Sequence, residues 1–308
     1  GEGYVAKSIA LCESLGVVDT SLIVKYGDHF GLFGGSIYSL GTERHHRAYL
    51  PDVMALRLPG CYAMTEGGHG SNVRGIETTA TYDPERREFI IHTPTPDAYK
   101  EWIGNAALHG RMATVFAQLH VAGEEHGVHA FLVPIRDEAG NVLPGIRIED
   151  SGHKEGLNGI DNGRIWFDHV RIPRENLLNR FGDVSDDGVY SSPIPSPGRR
   201  FFTMLGTLVA GRISVAAASG SAAKTGLAIA IRYTDRRRQF GPAGGPEVPV
   251  LDYLALQRRL FPRLATTYAL EFAVDDLSRA FAERVAGDGD LREVEAIAAG
   301  LKAYASWH

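Results

Sequence analysis

The stretch CYAMTEGGHGSN, residues 61–72, collects residue types that can hold a polar ligand. Gly67, Gly68 and Gly70 let the backbone come close to a ligand and expose several N–H donors at once. Thr65 and Ser71 add hydroxyls on either side. Such a loop could cradle a phosphate or a polar cofactor. It also suits an ordinary glycine-rich turn, because no helix and no phosphate-loop lysine follows it. A second run with chemical potential is Arg236-Arg237-Arg238, followed by Gln239, Phe240 and Gly241. Clustered guanidinium groups bind phosphate, including that of nucleic acid. Three arginines at a helix end serve equally as a solvated face or as partners of the helix dipole.

The histidines offer less. His45 and His46 are neighbours and cannot turn toward one ligand from a helix, so a solvated surface is expected for both. His126 and His129 flank a turn expected at residues 123–127, where only Glu124 and Glu125 could complete a metal site. Asp183, Asp186 and Asp187 lack the spacing and terminal glutamate of a calcium loop. No metal is expected. Trp102, taken by itself, reads as a half-buried strand aromatic.

Three kinds of element must position these residues. Residues 1–59 read as short helical segments broken by glycines, with Thr42 as a helix N-cap. Residues 60–182 change to short β-branched and aromatic runs such as ETTATYD, EFIIHTP, ATVFAQLHV and VHAFLVPI. Turn residues such as Asp83-Pro84 separate them, as in a sandwich or barrel. Residues 183–200, rich in proline and serine, read as a linker. Long helical patterns then fill 201–232, 250–286 and 291–306. The first is rich in Ala, Gly and Ser and should pack closely on its neighbours. The expected fold class is therefore α+β, with helices, a β-domain and then a helical bundle over 201–308.

Composition narrows the function classes. The 308 residues are 44% apolar and 22% charged, the profile of a globular protein rather than a disordered or collagen-like one. No apolar run approaches the ~20 residues of a membrane span. The first residues do not read as a secretory signal. The net charge of −5 gives no general attraction to nucleic acid. Two cysteines, Cys12 and Cys61, fit a reducing compartment. Only six of the 32 basic residues are lysines, a bacterial-looking composition that suggests a cytoplasmic protein.

The neighbourhood of the glycine-rich loop is more specific than the loop. The run GTERHHRAYLPDVMALRLPGCYAMTEGGHGSNVRGIETTATYDP, residues 41–84, resembles the flavin-dependent acyl-CoA dehydrogenase and oxidase superfamily, and the peroxisomal-type acyl-CoA oxidases most of all. Trp102-Ile103-Gly104, HGVHAFLVPIRD, IDNGRIWFDHVRIPRENLL, IRYTDRRRQFG, LDYLALQRRLFPRLATTYA and LKAYASW continue the likeness in the same order. The resemblance implies an acyl-CoA dehydrogenase-like fold and FAD as cofactor. Tyr62, Met64, Thr65, Gly70 and Ser71 would wrap the flavin, and the Thr65 hydroxyl would bond the pyrimidine edge of its ring. Trp102 and Ile103 would pack near the ring. Gly104 stands where dehydrogenases commonly carry Thr beside the flavin N5 and where oxidases carry Gly. Ser71 would also touch the substrate's pantetheine arm. Arg237 would reach the FAD pyrophosphate of a neighbouring subunit and Phe240 its adenine half, in a homodimer or larger assembly with FAD at the interface. His69 matches the oxidase pattern without an evident chemical step.

The implied reaction is α,β-dehydrogenation of an acyl-CoA to a trans-2-enoyl-CoA in fatty acid β-oxidation, with dioxygen as electron acceptor. A dehydrogenase passing electrons to an electron-transfer flavoprotein is the alternative, as is a non-catalytic flavin- or CoA-binding subunit. The location implied for a eukaryotic source is the peroxisome. The reaction needs a carboxylate base beside the α-carbon. The family's Gly-Glu segment that supplies it has no counterpart before His308, and no Asp or Glu lies between Asp187 and Asp235. The base is expected beyond residue 308, and the helical domains at both ends are expected to be truncated.

Overall fold

The computed structural model describes residues 2–287 and 289–308. They fall into two compact units: the N-terminal residues to Ile23 with Val209–His308, and Val24–Leu208. The division differs from the boundaries drawn at 59/60 and 200/201 from periodicity. Helix α1 (Glu2–Gly16) joins the C-terminal helices, and residues 24–59 join the β-rich part.

The β-rich unit opens in a helical run that the glycines do not break. Helix α2 (Thr20–Tyr26) passes into a π-helix at Gly27–Gly34, and that into α3 (Gly35–Leu40). π-Helical turns are rare and concentrate at functional sites. Helix α4 (Glu43–Met54) starts at Thr42, as its sequence implies. His45 does not lie on a solvated surface. It is buried, its Nδ1 accepts from the Thr42 N–H at 3.0 Å, and Nε2 then donates to Glu175 O at 2.9 Å. One ring nitrogen serves the helix start and the other ties it to Glu175, and burial pushes the imidazole pKa down.

The strands are β1 (Gly60–Ala63), β2 (Thr79–Asp83), β3 (Glu88–His92), β4 (Lys100–Ile103), β5 (Met112–Val121), β6 (Glu124–Pro134), β7 (Ile146–Asp150), β8 (Gly163–Phe167) and β9 (Val170–Pro173). One mixed sheet is built on β5. It pairs in parallel with β1 along its first half and with β2 along its second, and antiparallel with β6. Beyond β2 the sheet continues through β3 to β9. A second sheet runs β4-β8-β7. Strand β3 alternates half-buried and buried residues, as expected with one face on a core. The first six residues of β5 are all buried, the pattern of a strand covered on both faces. Phe89, Val115, Phe131, Ile165 and Phe167 join the two sheets in one core. The β5–β6 hairpin turns on Ala122 and Gly123 alone, both at positive φ (53° and 86°). Residues 124–127, expected as turn, are therefore strand.

The segment 183–200 is also more ordered than a linker. Asp183–Val184 pairs with Tyr190–Ser191, and Tyr190 stacks on His126 with ring centroids 4.0 Å apart. Helix α5 (Pro197–Leu205) begins within it, with Ser196 as N-cap accepting from the Arg199 N–H and Pro197 in the first turn.

The helical unit contains α1, α6 (Val209–Arg236), α7 (Leu254–Ala286) and α8 (Arg292–Trp307). Its core is Ile9, Val209, Ile213, Leu270, Val274, Leu277, Phe281 and Val294 with small alanines between them. The small residues of α6 allow close packing: a Cβ added to Gly16 of α1 would lie 2.9 Å from Ala218 O. By length and hydropathy alone Pro197–Arg236 could cross a membrane. Val209, Ile213, Ala216 and Ala217 of that stretch are buried in the bundle core.

Candidate active site

The glycine-rich loop leaves β1 and folds back against β4. The Glu66 N–H donates to His69 O and the His69 N–H to Glu66 O, closing a tight turn over 66–69. Gly67 and Gly68 donate to Tyr99 O and Asp97 O. A Cβ on Gly67 would fall 2.6 Å from the Tyr99 ring, so close approach requires glycine there. Gly70 is different: it is exposed, and a Cβ would meet nothing within 4 Å. Room at Gly70 therefore faces outward, where a ligand can use it. Ser71 is exposed beside it, Thr65 and Tyr62 are half-buried, and Met64 is buried. His69 acts within the loop, its Nε2 lying 3.3 Å from a Glu77 carboxylate oxygen.

A buried ion pair that the sequence reading missed anchors this loop. Lys100 and Glu66 are both fully buried, with Nζ and Oε1 2.9 Å apart. Lys100 Nζ also donates to Met64 O and Phe116 O, so its three protons have acceptors. The Glu66 carboxylate also accepts from the backbone N–H groups of Glu77 and Thr78 and from the Thr78 hydroxyl. Burial pulls the ammonium pKa down to about 8, against the opposing pull of the Glu66 charge. The pair ties Met64-Thr65-Glu66 to β4 and β5.

Thr65 and Trp102 are thereby neighbours, since the Glu101 N–H donates to Thr65 O at 3.0 Å. Trp102 is not half-buried. It is 57% exposed and has φ +62° at a register shift between β4 and β8. A large aromatic held in the left-handed region and left in solvent is a strained arrangement of the kind found at binding sites. Asn162 Nδ2 holds its carbonyl at 2.9 Å. Ile103 and Gly104 are buried behind it.

Behind Gly104 lies a charged cluster. A Cβ on Gly104 would sit 1.6 Å from Asp28 Oδ2 and 3.0 Å from Ile160 Cδ1, so the Asp28 carboxyl, carried on the π-helix, takes the volume of a side chain at 104. Burial pushes the Asp28 carboxyl up to about 7, opposed by Lys25 and Lys154 and reinforced by Asp161. Lys25 Nζ contacts Asp161 Oδ1 and lies 2.8 Å from His109 Nδ1. Burial would raise the Asp161 pKa. Hydrogen bonds from Lys25, from the His109 ring, and from the His109 and Leu108 N–H groups outweigh it and hold the carboxylate well below its usual range.

Arg237 and Phe240 belong to the helical unit, at the base of a loop where the Val250 N–H donates to Arg237 O and the Val248 N–H to Phe240 O. Both are exposed, Phe240 by 72% and at φ +56°. His129 is no metal ligand in this arrangement: its Nδ1 bonds Gly127 O, its Nε2 the Tyr190 hydroxyl, and burial pulls its pKa down to about 3. Among the described residues, His92, Asp168 and His169 could group around an ion, their ligand atoms within 4.8 Å of one another. Sequence spacing did not reveal that group, because β3 and the turn between β8 and β9 bring it together.

Two family descriptions match the chain: "Acyl-CoA dehydrogenase, middle domain" over residues 61–170 and "Acyl-CoA oxidase, C-alpha1 domain" over 205–308. The peroxisomal acyl-coenzyme A oxidase 3 of Arabidopsis thaliana is 50% identical over 303 residues, covering 98% of this chain and 45% of that protein. The chain belongs to the acyl-CoA oxidase family. Acyl-CoA oxidase 3 from Yarrowia lipolytica superposes with a TM-score of 0.88 at 38% identity, over 97% of this chain and 45% of the other. Acyl-CoA oxidase-2 of Caenorhabditis elegans, solved with FAD, ascaroside-CoA and ATP, gives 0.82 at 35% identity, over 91% and 43%. These oxidases share the acyl-CoA dehydrogenase-like α+β fold described above. The chain thus spans less than half the length of these relatives.

Proposed function

We propose that this chain is the flavin- and thioester-binding portion of an FAD-dependent acyl-CoA oxidase that converts acyl-CoA to trans-2-enoyl-CoA. The observation that carries the reading is the junction of Thr65 with Trp102 across the Glu101–Thr65 hydrogen bond, on the loop that also presents the open Gly70. A flat, partly apolar ring with a polar edge fits an exposed aromatic next to a hydroxyl and backbone donors. Tyr62, Met64, Thr65, Gly70, Ser71, Trp102, Ile103 and Gly104 would hold the flavin, and Ser71 the pantetheine arm. Arg237 and Phe240 would serve the FAD of a second subunit in a homodimer. FAD supplies hydride acceptance when bound. The chain's residues orient the ring and the thioester, and the Thr65 hydroxyl and nearby N–H groups favour negative charge on the ring's polar edge. The general base is assigned to the part of the full-length protein beyond residue 308. In a eukaryotic host the reading includes the peroxisome, named for the plant relative.

The test is the absorbance of the full-length protein before and after an acyl-CoA is added without air. Bleaching of the flavin band is the expected result; a colourless protein that takes up no FAD sinks the proposal. Rapid mixing of the bleached enzyme with dioxygen then separates oxidase from dehydrogenase. Fast recovery of colour is expected, whereas slow recovery with fast transfer to an electron-transfer flavoprotein would give the dehydrogenase.

A further inference from the structure

We propose that Asp28 is a positioning residue of the flavin site: its carboxyl replaces a side chain at position 104 and sets the charge of the wall behind Trp102-Ile103-Gly104. The inference rests on the flavin reading above.

The steric part comes from Gly104, where an added Cβ would overlap Asp28 Oδ2 at 1.6 Å. Only a residue without a side chain leaves that carboxyl in place. The obstacle is the end of a side chain, so a methyl group at 104 would expel the carboxyl rather than break the backbone. The π-helix that carries Asp28 is fixed from the other side. His29 Nε2 is 2.9 Å from Val53 O, and its Nδ1 accepts from the Gly60 N–H at 3.3 Å.

The electrostatic part comes from the surroundings. Lys25 on α2 and Lys154 in the segment before β8 are cationic, and Asp161 is anionic. His109 adjoins Lys25 and Asp161, and the Cys61 thiol on β1 is buried and neutral, with Arg136 beyond it. Lys154 is held by Ile160 O at 2.8 Å and by the Asn162 side chain, which also holds the Trp102 carbonyl. With Asp28 protonated, the two lysines outweigh Asp161 and the wall is net positive. Once Asp28 ionises, the wall carries one positive charge less. Burial places that change near neutral pH. A positive wall favours electron uptake by a flavin lying against it, so the potential of the bound flavin should fall extra steeply as Asp28 ionises.

The experiment measures the midpoint potential of FAD bound to the full-length protein against pH, in the wild type and in Asp28→Asn. The expected result is equal potentials below about pH 6 and a lower wild-type potential above about pH 8, because Asn keeps the wall positive throughout. Superposed curves over the whole range would overturn the inference while leaving the flavin reading intact; failure of the wild type to bind FAD would overturn the reading itself. A second measurement needs no flavin: thermal melting of full-length Gly104→Ala, Asp28→Gly and the double variant. Gly104→Ala should lower the melting temperature, and Asp28→Gly should relieve that loss in the double variant. Strict additivity would show that the carboxyl does not hold the space at 104.

Discussion

At the residue scale, Lys100 and Glu66 show how a loop with little side-chain bulk is kept in one shape. Both charges lie out of water, so removing one partner leaves the other uncompensated, which typically costs about 3–5 kcal/mol. Lys100→Met is therefore expected to destabilise the protein by about that amount in urea unfolding and to weaken FAD retention, since Met64 and Thr65 lose their tether. Wild-type stability would show that the pair is not a support. Asp28 gives a signed pH effect. Its folded pKa, about 7, lies above the ordinary 3.8, so the folded state holds the extra proton between those values. Stability contributed at this site is full below pH 3.8 and is lost as pH rises through 7. Asp28→Asn should gain stability relative to wild type between pH 5 and 8, by at most about 3 kcal/mol, because the folded carboxyl keeps its extra proton only up to about pH 7. Equal differences at both ends in urea unfolding would contradict the buried carboxyl.

At the element scale, the site depends on how closely the π-helix approaches β1. A Cβ on Gly60 would fall within 2.1 Å of the Phe33 ring, deep in a core with Ile37, Val53 and Phe116. Gly60→Ala should cost about 1–3 kcal/mol by overpacking. It should also displace the loop that follows β1, read as a lower melting temperature together with faster FAD loss. Here the sequence was legible only in part. Short β-branched runs marked the strands, and TEGGHGS marked the tight glycine-rich turn after β1, because both signals are local. The π-helix was not legible: Gly27, Gly31, Gly34 and Gly35 look like helix breakers, yet the helical run continues through them by widening its turns. Nor was Asp28, which meets Gly104 only after the 75 residues between them fold. The burial of His45 was not legible either, because one of its two partners, Glu175 O, lies far along the chain.

At the scale of the whole molecule, the residues proposed to contact FAD belong to different compact units. Thr65, Ser71, Trp102 and Gly104 belong to the β-rich one, Arg237 and Phe240 to the helical one. Arg236, Arg237 and Arg238 are all exposed, so local burial does not single out the one proposed to reach the FAD pyrophosphate. What distinguishes Arg237 is its position at the base of the Val248–Phe240 pairing, where its backbone is held at 2.8 Å on both sides, to Tyr233 O and from the Val250 N–H. A guanidinium on a fixed backbone loses less freedom on binding than one on a frayed end. Arg237→Ala should weaken FAD retention of the full-length protein several-fold while leaving its melting temperature without FAD unchanged, because no packed core depends on an exposed side chain. Arg236→Ala should change neither FAD retention nor the melting temperature. Mixing differently tagged subunits extends the test to the assembly: if Arg237 serves a neighbour's FAD, a mixed dimer of wild-type and Arg237→Ala chains should lose flavin from the wild-type β-rich unit and keep it in the variant's. Loss confined to the variant's own unit would place Arg237 in the same chain's site and remove the reason for FAD at a subunit interface.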